Sequence, residues 1–453
     1  MSRLYGRHMT TSSGGNASMV DTEGVIWMTP KGNDKGALQR EEIAFRKPGE
    51  TGWQGNFPPS SEWPFHTRIY QSRPDIRAVL HAHSQTLVAF SVANQLPNSY
   101  SLSQAAFLCG SVGLAPYAVP GTEALADAIV EQIKTHDCVV MANHGVVVVG
   151  VTMTEAYQKF EALEFCARAE VRARVLGGYK LLLTPKDLTA QVHATQAITA
   201  KQEGRPPVTP NECDLRASLV KFVRRSYTQG LVHSTSGAMS ARLTPTSFLI
   251  TPSGVDRRSI QPQDICLIEF TSLAQATLGQ GAHFYGEPGL VPSRAWVVHN
   301  ALYQAFPDTH AVLHAHPFHI TAFCMTSVNF HSNIIPESYI VLRNVGRIPF
   351  LQSLDGEGAV DGFRANSPCD VVLVNNDGVM IKGSSLPQVF DRLEVLEATA
   401  NVVLECNSLG ELHPMTEQQI SEIDEKWFHE KRSKSNKKQK REVCERSDIY
   451  GQW

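Results

Sequence analysis

The sequence predicts two tandem copies of one α/β domain, on three observations. Residues 59–66 (Pro-Ser-Ser-Glu-Trp-Pro-Phe-His) return as residues 292–299 (Pro-Ser-Arg-Ala-Trp-Val-Val-His), and residues 79–83 (Val-Leu-His-Ala-His) return as residues 312–316. The offset, 292 minus 59 or 312 minus 79, is 233 in both cases, and it persists in an Asn-x-Gly turn further on. Each copy also mixes apolar segments of strand length with helical runs. A register kept over this length indicates a duplicated domain.

The domain boundaries follow from stop signals and linker composition. A helix from Thr154 to about Leu176 ends at Gly177-Gly178, so residues 1–182 form the first predicted domain. Residues 183–210 are Pro-rich near their end and predict a linker, and residues 211–412 form the second domain. A Gly- and Ala-rich insertion before Pro292 predicts a surface loop.

The last segment, residues 413–453, contains a strongly basic stretch. Seven of the eleven residues in 431–441 are Lys or Arg, and none is apolar. This composition predicts a disordered, solvated tail, with nuclear import or binding to an anionic surface as the alternative.

Bulk composition narrows the class of protein. The 453 residues are 42% hydrophobic and 19% charged, with a net charge of −3, which gives no reason to expect nucleic acid as a partner. Nine scattered cysteines without a CxxC pair predict reduced thiols and a cytoplasmic location. No uncharged apolar run reaches 18 residues, so we expect no membrane span.

Three histidines at strand ends predict a metal site in the first copy. His81 and His83 close the apolar segment Ala78-Val-Leu, and alternation along a strand places both on one face. His144 follows a second apolar segment and precedes a Gly turn. A lone His-x-His is more often structural, but three imidazoles with an open position are typical of catalytic Zn²⁺, with other divalent ions as alternatives.

Glu62 is the candidate proton-transfer group beside that metal. A carboxylate there can ligate the ion and then abstract a proton from carbon next to a carbonyl. The alternative is that Glu62 caps the helix predicted to start near Trp63. The two roles are compatible.

Small and hydroxylated residues in the first copy predict an anion site. Ser13, Gly15 and Asn16 lie in one such loop, and Ser60-Ser61 precede the predicted helix start, which favours phosphate. Lys31 in Thr-Pro-Lys-Gly adds a point charge. Each loop alone is commonly an ordinary turn, whereas their combination favours a phosphorylated substrate.

The ordered set Gly-Asn-x-Ser, Thr-Pro-x-Gly, Pro-Ser-Ser-Glu, His-x-His and Asn-His-Gly resembles the class II aldolase and adducin head-domain family, which includes fuculose-phosphate aldolases. The resemblance covers nearly all of both copies. It implies two α/β/α three-layer domains, each with a central, largely antiparallel sheet, and one Zn²⁺ per chain on His81, His83 and His144. It also implies that Glu62 is the catalytic acid/base. The implied phosphate ligands are Ser13, Gly15, Asn16, Gly32, Ser60 and Ser61.

The activity implied by the resemblance is aldehyde-lyase chemistry on a phosphorylated ketose, through a metal-stabilised enediolate. A sugar-phosphate 4-epimerase or a dehydratase on the same site is the near alternative. A non-catalytic, adducin-like scaffold is the alternative of another class.

The second copy is predicted to be degenerate. It keeps His314 and His316, but Arg294, Ala295 and Asp377 stand where the first copy has Ser61, Glu62 and His144. We expect Arg294 and Asp377 to form an ion pair in place of the metal.

The resemblance also implies the family's usual four-fold tetramer, with active sites between neighbouring subunits and, in the aldolases, an acid tyrosine from a neighbour. Leu102 stands at the aligned position here, so Tyr100 and Tyr339 are the candidate contributors. The expected assembly is a homo-oligomer in which two tandem chains form a pseudo-tetramer.

Overall fold

The computed structural model describes residues 1–177, 181–193, 199–200, 205 and 207–429. The basic stretch at 431–441, Gly178 of the predicted helix stop and most of residues 194–206 lie outside these ranges. The expectations for those residues therefore remain predictions.

The first copy folds around a seven-stranded sheet. Its strands are β1 (Asn16–Val20), β2 (Ile26–Met28), β3 (Ala44–Arg46), β4 (Ala78–Ala82), β5 (Val112–Ala115), β6 (Cys138–Met141) and β7 (Gly145–Gly150). The spatial order is β3-β2-β1-β4-β7-β6-β5. Neighbours pair antiparallel except β5 and β6, which are parallel.

Helices cover both faces of this sheet. They are α1 (Ser2–Gly6), α2 (Trp63–Ser72), α3 (Gln85–Val92), α4 (Ser103–Cys109), α5 (Glu123–Ile133) and α6 (Met153–Val175). Alternate residues of one strand enter opposite cores: Leu80 packs in the cluster that contains Phe160 of α6, and Val79 packs with Phe65 of α2. Because both faces are buried, the central strands are continuously apolar, and the domain has three layers.

The second copy repeats this plan and extends it. Its strands are β8 (Thr199–Ala200), β9 (Ala238–Thr244), β10 (Ser247–Ile250), β11 (Cys266–Glu269), β12 (His283–Tyr285), β13 (Ala311–Ala315), β14 (Asn344–Ile348), β15 (Cys369–Val374) and β16 (Val379–Gly383). The order is β14-β15-β16-β13-β9-β10-β11-β12-β8, with parallel pairing only at β14–β15 and β12–β8. The prediction of two largely antiparallel three-layer domains is confirmed.

The helices associated with the linker, the second copy and the C-terminal segment complete the described fold. They are α7 (Pro185–His193), α8 (Pro210–Thr228), α9 (Leu273–Leu278), α10 (Trp296–Ala305), α11 (Phe318–Cys324), α12 (Pro336–Leu342), α13 (Gly356–Ala365), α14 (Leu386–Leu409) and α15 (Glu417–Asp424). The insertion before Pro292 was expected to be a loop, but it contributes α9 and strand β12, whose Phe284 is buried. That expectation was wrong because pairing with β11 recruits part of the insertion into the sheet.

The two copies share a small core and a set of polar contacts. Ala169 of α6 and Ala322 of α11 are fully buried in one apolar cluster. The side-chain amide of Asn376 donates to the carbonyl of Ser101 at 3.0 Å, and the backbone N–H of Ser103 donates to the carbonyl of Asn376 at 2.8 Å. Helix α4 of the first copy is thereby held against the second copy.

Among the residues described, no helix combines the length and apolar character that crossing a bilayer requires.

Candidate metal centre

Strand β4 and the β6–β7 turn bring three imidazoles together. The Nε2 atoms of His81 and His83 lie 2.9 Å apart, and the ligand atoms of these two residues and His144 all lie within 4.8 Å of one another. The turn closes at Gly145, where a Cβ atom would lie 2.8 Å from both the Ala82 carbonyl oxygen and Cδ2 of His83. Glycine therefore lets β7 start directly beside the histidine pair.

The histidines present neutral, metal-accepting nitrogens. Nδ1–H of His81 donates to the carbonyl of Val146 at 3.0 Å, which leaves its Nε2 as a lone-pair acceptor directed at the cluster. Burial lowers the pKa of His81 to about 3 and that of His144 to about 4, and it also lowers the pKa of His83. Three neutral imidazoles are a donor set that suits Zn²⁺.

Glu62 lies against this cluster. Its Oε2 is 3.3 Å from Nε2 of His81 and its Oε1 is 3.4 Å from Nε2 of His144. Glu62 occupies the N-cap position of α2, but its side chain makes no capping hydrogen bond. The carboxylate therefore faces the imidazoles and does not cap the helix. Oε1 is buried without a hydrogen-bond partner in the described chain, which fits a group that meets a cation or substrate.

A chain of buried hydrogen bonds behind Glu62 was not predicted from the sequence. The Asn16 amide donates to Oε2 of Glu62 at 2.7 Å, and its Oδ1 accepts from Nε2 of His66 at 2.6 Å. The Ser18 hydroxyl donates to Nδ1 of His66 at 2.7 Å and lies 2.6 Å from the Tyr70 hydroxyl. The signal was present, because the repeated motif ends in a histidine in both copies, His66 and His299.

The loops predicted to bind an anion lie side by side. Ser60 donates its backbone N–H to the carbonyl of Thr29 at 3.0 Å, and Lys31 donates to that of Pro58 at 3.0 Å. Buried Lys35 links the loops, because its N–H donates to Ser12 and its Nζ donates to the carbonyl of Pro30, both at 2.7 Å. The structure thus brings six of the seven predicted residues into three adjoining loops, which contain Ser13 and Gly15, Lys31 and Gly32, and Ser60 and Ser61. Asn16, the seventh, begins β1, and its side chain is engaged by Glu62 and His66. Lys31 and Ser61 are exposed.

The two candidate tyrosines lie elsewhere within the chain. The Tyr339 hydroxyl donates to the carboxylate of Asp424 at 3.1 Å. Tyr100 is partly buried against the core of the second copy. Among the described contacts, neither side chain touches the histidine cluster of its own chain.

The second copy replaces the open centre with a closed cluster. Asp377 accepts from Nε2 of His314 at 2.7 Å and from the Ser103 hydroxyl of the first copy, and Nε2 of His316 lies 3.4 Å from it. Although burial alone would raise the pKa of Asp377, His316 and His314 hold it well below the usual value. The predicted Arg294–Asp377 ion pair is wrong. Among the described contacts Asp377 pairs with the two imidazoles, while the Arg294 guanidinium lies over the Phe107 ring, 5.6 Å from its centroid.

Fold and site together define a tandem α/β protein with one three-histidine, one-carboxylate centre. The chain belongs to the class II aldolase and adducin N-terminal domain family, whose profile matches residues 1–171 and again 217–404. The two matches confirm the tandem duplication.

Three curated relatives illustrate the similarity. An L-fuculose phosphate aldolase of Methanococcus vannielii is 34% identical over 165 residues, which are 36% of this chain and 88% of the relative. A 5-deoxy-D-ribulose 1-phosphate aldolase of Bacillus thuringiensis is 32% identical over 191 residues, 40% of this chain and 87% of the relative. A 3-oxo-tetronate 4-phosphate decarboxylase of Escherichia coli is 30% identical over 171 residues, 37% of this chain and 80% of the relative.

Proposed function

We propose that this chain is a divalent-metal-dependent lyase that cleaves a phosphorylated ketose, with Zn²⁺ held by the first copy. The observation that carries the proposal is the Glu62 carboxylate, which lies 3.3 Å from His81 and 3.4 Å from His144 within a buried cluster. The aldolase and decarboxylase relatives, whose names specify phosphorylated substrates, support the same class of chemistry.

The proposed mechanism divides the work between the cation and the chain. Zn²⁺ held by His81, His83 and His144 would supply Lewis-acid polarisation of a substrate carbonyl. One oxygen of Glu62 accepts a hydrogen bond from Asn16, and the other has no hydrogen-bond partner in the described chain. This second oxygen can accept a proton from the substrate carbon next to the carbonyl and return it.

The adjoining small-residue loops would anchor the substrate phosphate. Ser13, Ser60 and Ser61 offer hydroxyls, Gly15 and Gly32 leave their backbone open to close approach, and Lys31 offers a charge. This anchoring would hold the reacting carbon beside Glu62, so that part of the binding energy serves orientation.

The proposal includes a homo-oligomer that completes the first site. Helix α4 of the first copy covers the second copy's cluster through Ser103, and α12 is its counterpart at the offset of 233. Two chains arranged as a pseudo-tetramer would place α12, which carries Tyr339, over the first site of the other chain. Light scattering should then give a dimer or a multiple of it, and a fully active monomer would contradict this part.

The function is tested with purified, metal-loaded protein and a panel of phosphorylated ketoses and sugar acids. Glu62→Gln should lower turnover by roughly 10²- to 10⁴-fold, because it removes the proton acceptor. Its metal content should stay near that of wild type. Product analysis separates aldol cleavage from epimerisation, dehydration and decarboxylation. Unchanged turnover in Glu62→Gln would remove Glu62 from the mechanism, and a metal-loaded protein that turns over none of the panel would favour the scaffold alternative.

A further inference from the structure

The second copy contains a cavity of about 380 Å³. This volume is in the range of small-molecule sites. Its wall is built from both copies: Ser103 and Phe107 of α4 face the histidine cluster and the small-residue loops of the second copy. A merely degenerate site has no need of a cavity of this size.

The loops around this cavity keep the backbone geometry of the first copy's loops. Gly237 has φ of 73°, close to the 69° of Gly15, and at both positions a Cβ atom would lie 2.6–2.7 Å from a strand carbonyl. Ser293 donates its N–H to the carbonyl of Thr251 at 3.0 Å, as Ser60 does to Thr29.

Arg257 supports the loops as Lys35 does in the first copy. Its N–H donates to the carbonyl of Ser234 at 2.9 Å, and its guanidinium donates to those of Pro252 at 3.0 Å and Gly237 at 2.8 Å. Arg257 lines the cavity but is 2% exposed, and its guanidinium bonds to backbone carbonyls, so we assign it a bracing role.

Besides the buried Lys35 and Arg257, each set of loops carries an exposed cation, although its position differs between the copies. In the first copy the cation is Lys31, and the matching residue of the second copy is Ser253. In the second copy the cation is Arg294, and the matching residue of the first copy is Ser61. Arg294 lines the cavity, is exposed and rests over Phe107. The two changes compensate in charge, which is expected if both cradles bind an anion.

The second copy lacks the side chains that the first copy is proposed to use for proton transfer. Ala295 and Ala238, both in the cavity wall, stand where the first copy has Glu62 and Asn16. The relay behind them survives in part, because Nδ1 of His299 and the Ser240 hydroxyl are hydrogen-bonded at 2.7 Å, but His299 Nε2 has no hydrogen-bond partner in the described chain and the residue is 1% exposed. The cavity therefore keeps its small-residue loops and an exposed cation but lacks the acid/base.

We propose that this cavity binds a phosphorylated, hydroxylated small molecule and releases it unchanged. The phosphate contacts Arg294, Ser293 and the 235–237 loop, and the hydroxylated body extends toward His314 and His316. The second copy is then a ligand-binding domain and not only a structural partner. The inference uses the anion cradle of the proposed function but does not require catalysis by the first copy.

The test measures binding stoichiometry on the full chain with glycerol 1-phosphate. This probe has a phosphate and hydroxyls but no carbonyl, so it cannot be turned over by carbonyl chemistry. Calorimetry should give two equivalents per chain for wild type, one each for Arg294→Ala and Lys31→Ala, and none for the double variant at the same concentrations. Both residues are exposed, so we expect these variants to fold. Arg294→Lys, which keeps the charge, should still bind two equivalents of glycerol 1-phosphate.

A single wild-type equivalent that Lys31→Ala removes and Arg294→Ala leaves intact would overturn the inference, as would the absence of any binding. Because turnover is not measured, two equivalents would stand even if the chain proved not to be a lyase. Conversely, a chain that turns over a sugar phosphate but binds only one equivalent of glycerol 1-phosphate would support the proposed function and contradict the second binding site.

Discussion

Replacing Asn16 with Ala should separate the positioning of Glu62 from metal binding. Asn16 is 3% exposed and donates to the Glu62 carboxylate at 2.7 Å. The three imidazoles lie at the end of β4 and in the β6–β7 turn. The substitution therefore removes the donor that orients the carboxylate and leaves the three imidazoles in place.

The magnitude follows from the bonds that are lost. A hydrogen bond to a charged group contributes about 1.5–3 kcal/mol, and each 1.36 kcal/mol corresponds to about tenfold in rate. If most of this energy orients Glu62 for proton transfer, kcat should fall by roughly 10- to 100-fold. The substitution also leaves Nε2–H of His66 buried without an acceptor, which should destabilise the first copy by about 1–3 kcal/mol. The second copy already tolerates a buried imidazole nitrogen without a partner, because Ala238 stands at the position that matches Asn16 and Nε2 of His299 is unpaired in the described chain.

The assay is steady-state turnover of the best sugar phosphate, together with metal content and urea unfolding. We expect kcat to fall, KM to change by less than about threefold, and bound metal to stay at the wild-type ratio. Ser18→Ala, which breaks the same relay one bond further from Glu62, should lower kcat by a smaller factor. Ser240→Ala, at the matching position of the second copy, controls for loss of a buried hydroxyl. The reasoning is refuted if Asn16→Ala keeps wild-type kcat, or if Ser18→Ala and Ser240→Ala affect kcat equally.

Three further outcomes follow from the geometry. Gly145→Ala places a Cβ atom 2.8 Å from the Ala82 carbonyl and from His83. It should therefore lower the metal content and the thermal midpoint, with a loss of about 1–3 kcal/mol of unfolding free energy. A variant with full metal content and an unchanged midpoint would contradict this. Chelation of the purified protein should abolish turnover, and added Zn²⁺ should restore it; turnover that survives with no measurable metal would exclude the proposed cofactor. Burial raises the pKa of Glu164 to about 7, so its folded carboxyl binds a proton more tightly than the unfolded one, and this stabilisation is lost as the pH rises toward that value. The urea midpoint of Glu164→Gln should therefore gain on that of wild type between about pH 4.5 and about pH 7 and keep that advantage at higher pH; a gap that does not change across this range would refute the burial argument.

The parts of the fold and site that the sequence predicted are those governed by local periodicity. Alternation along β4 places His81 and His83 on one face whatever surrounds the strand, and the fully buried pattern of Ala78–Ala82 is what an apolar run predicts for a central strand. The third imidazole was predictable because a strand end followed by a Gly turn fixes where the next side chain emerges.

The parts that were missed or wrongly predicted depend on contacts between distant segments. The partner of Asp377 could not be found from the sequence, because Ser103 lies 274 residues away and reaches it only through the packing of α4 on the second copy. The His66 relay likewise joins β1 to α2 across 48–50 residues. Arg294 and Asp377 were paired on charge alone, whereas the adjacent imidazoles and Ser103 already satisfy the carboxylate.

Each of the two sites contains one buried carboxylate, but the two carboxylates differ in how many hydrogen bonds they accept. Each has one carboxylate beside its imidazoles: Glu62 at a helix start in the first copy and Asp377 in the strand turn of the second. Glu62 accepts one hydrogen bond, from Asn16, and keeps Oε1 without a partner. Asp377 accepts from two imidazoles and from Ser103, so both of its oxygens are engaged. A carboxylate whose oxygens are both engaged presents no free oxygen to a substrate, whereas one with an unengaged oxygen can meet a substrate proton. The freedom of one carboxylate oxygen, more than the count of histidines, is therefore what distinguishes the proposed catalytic copy from the proposed binding copy.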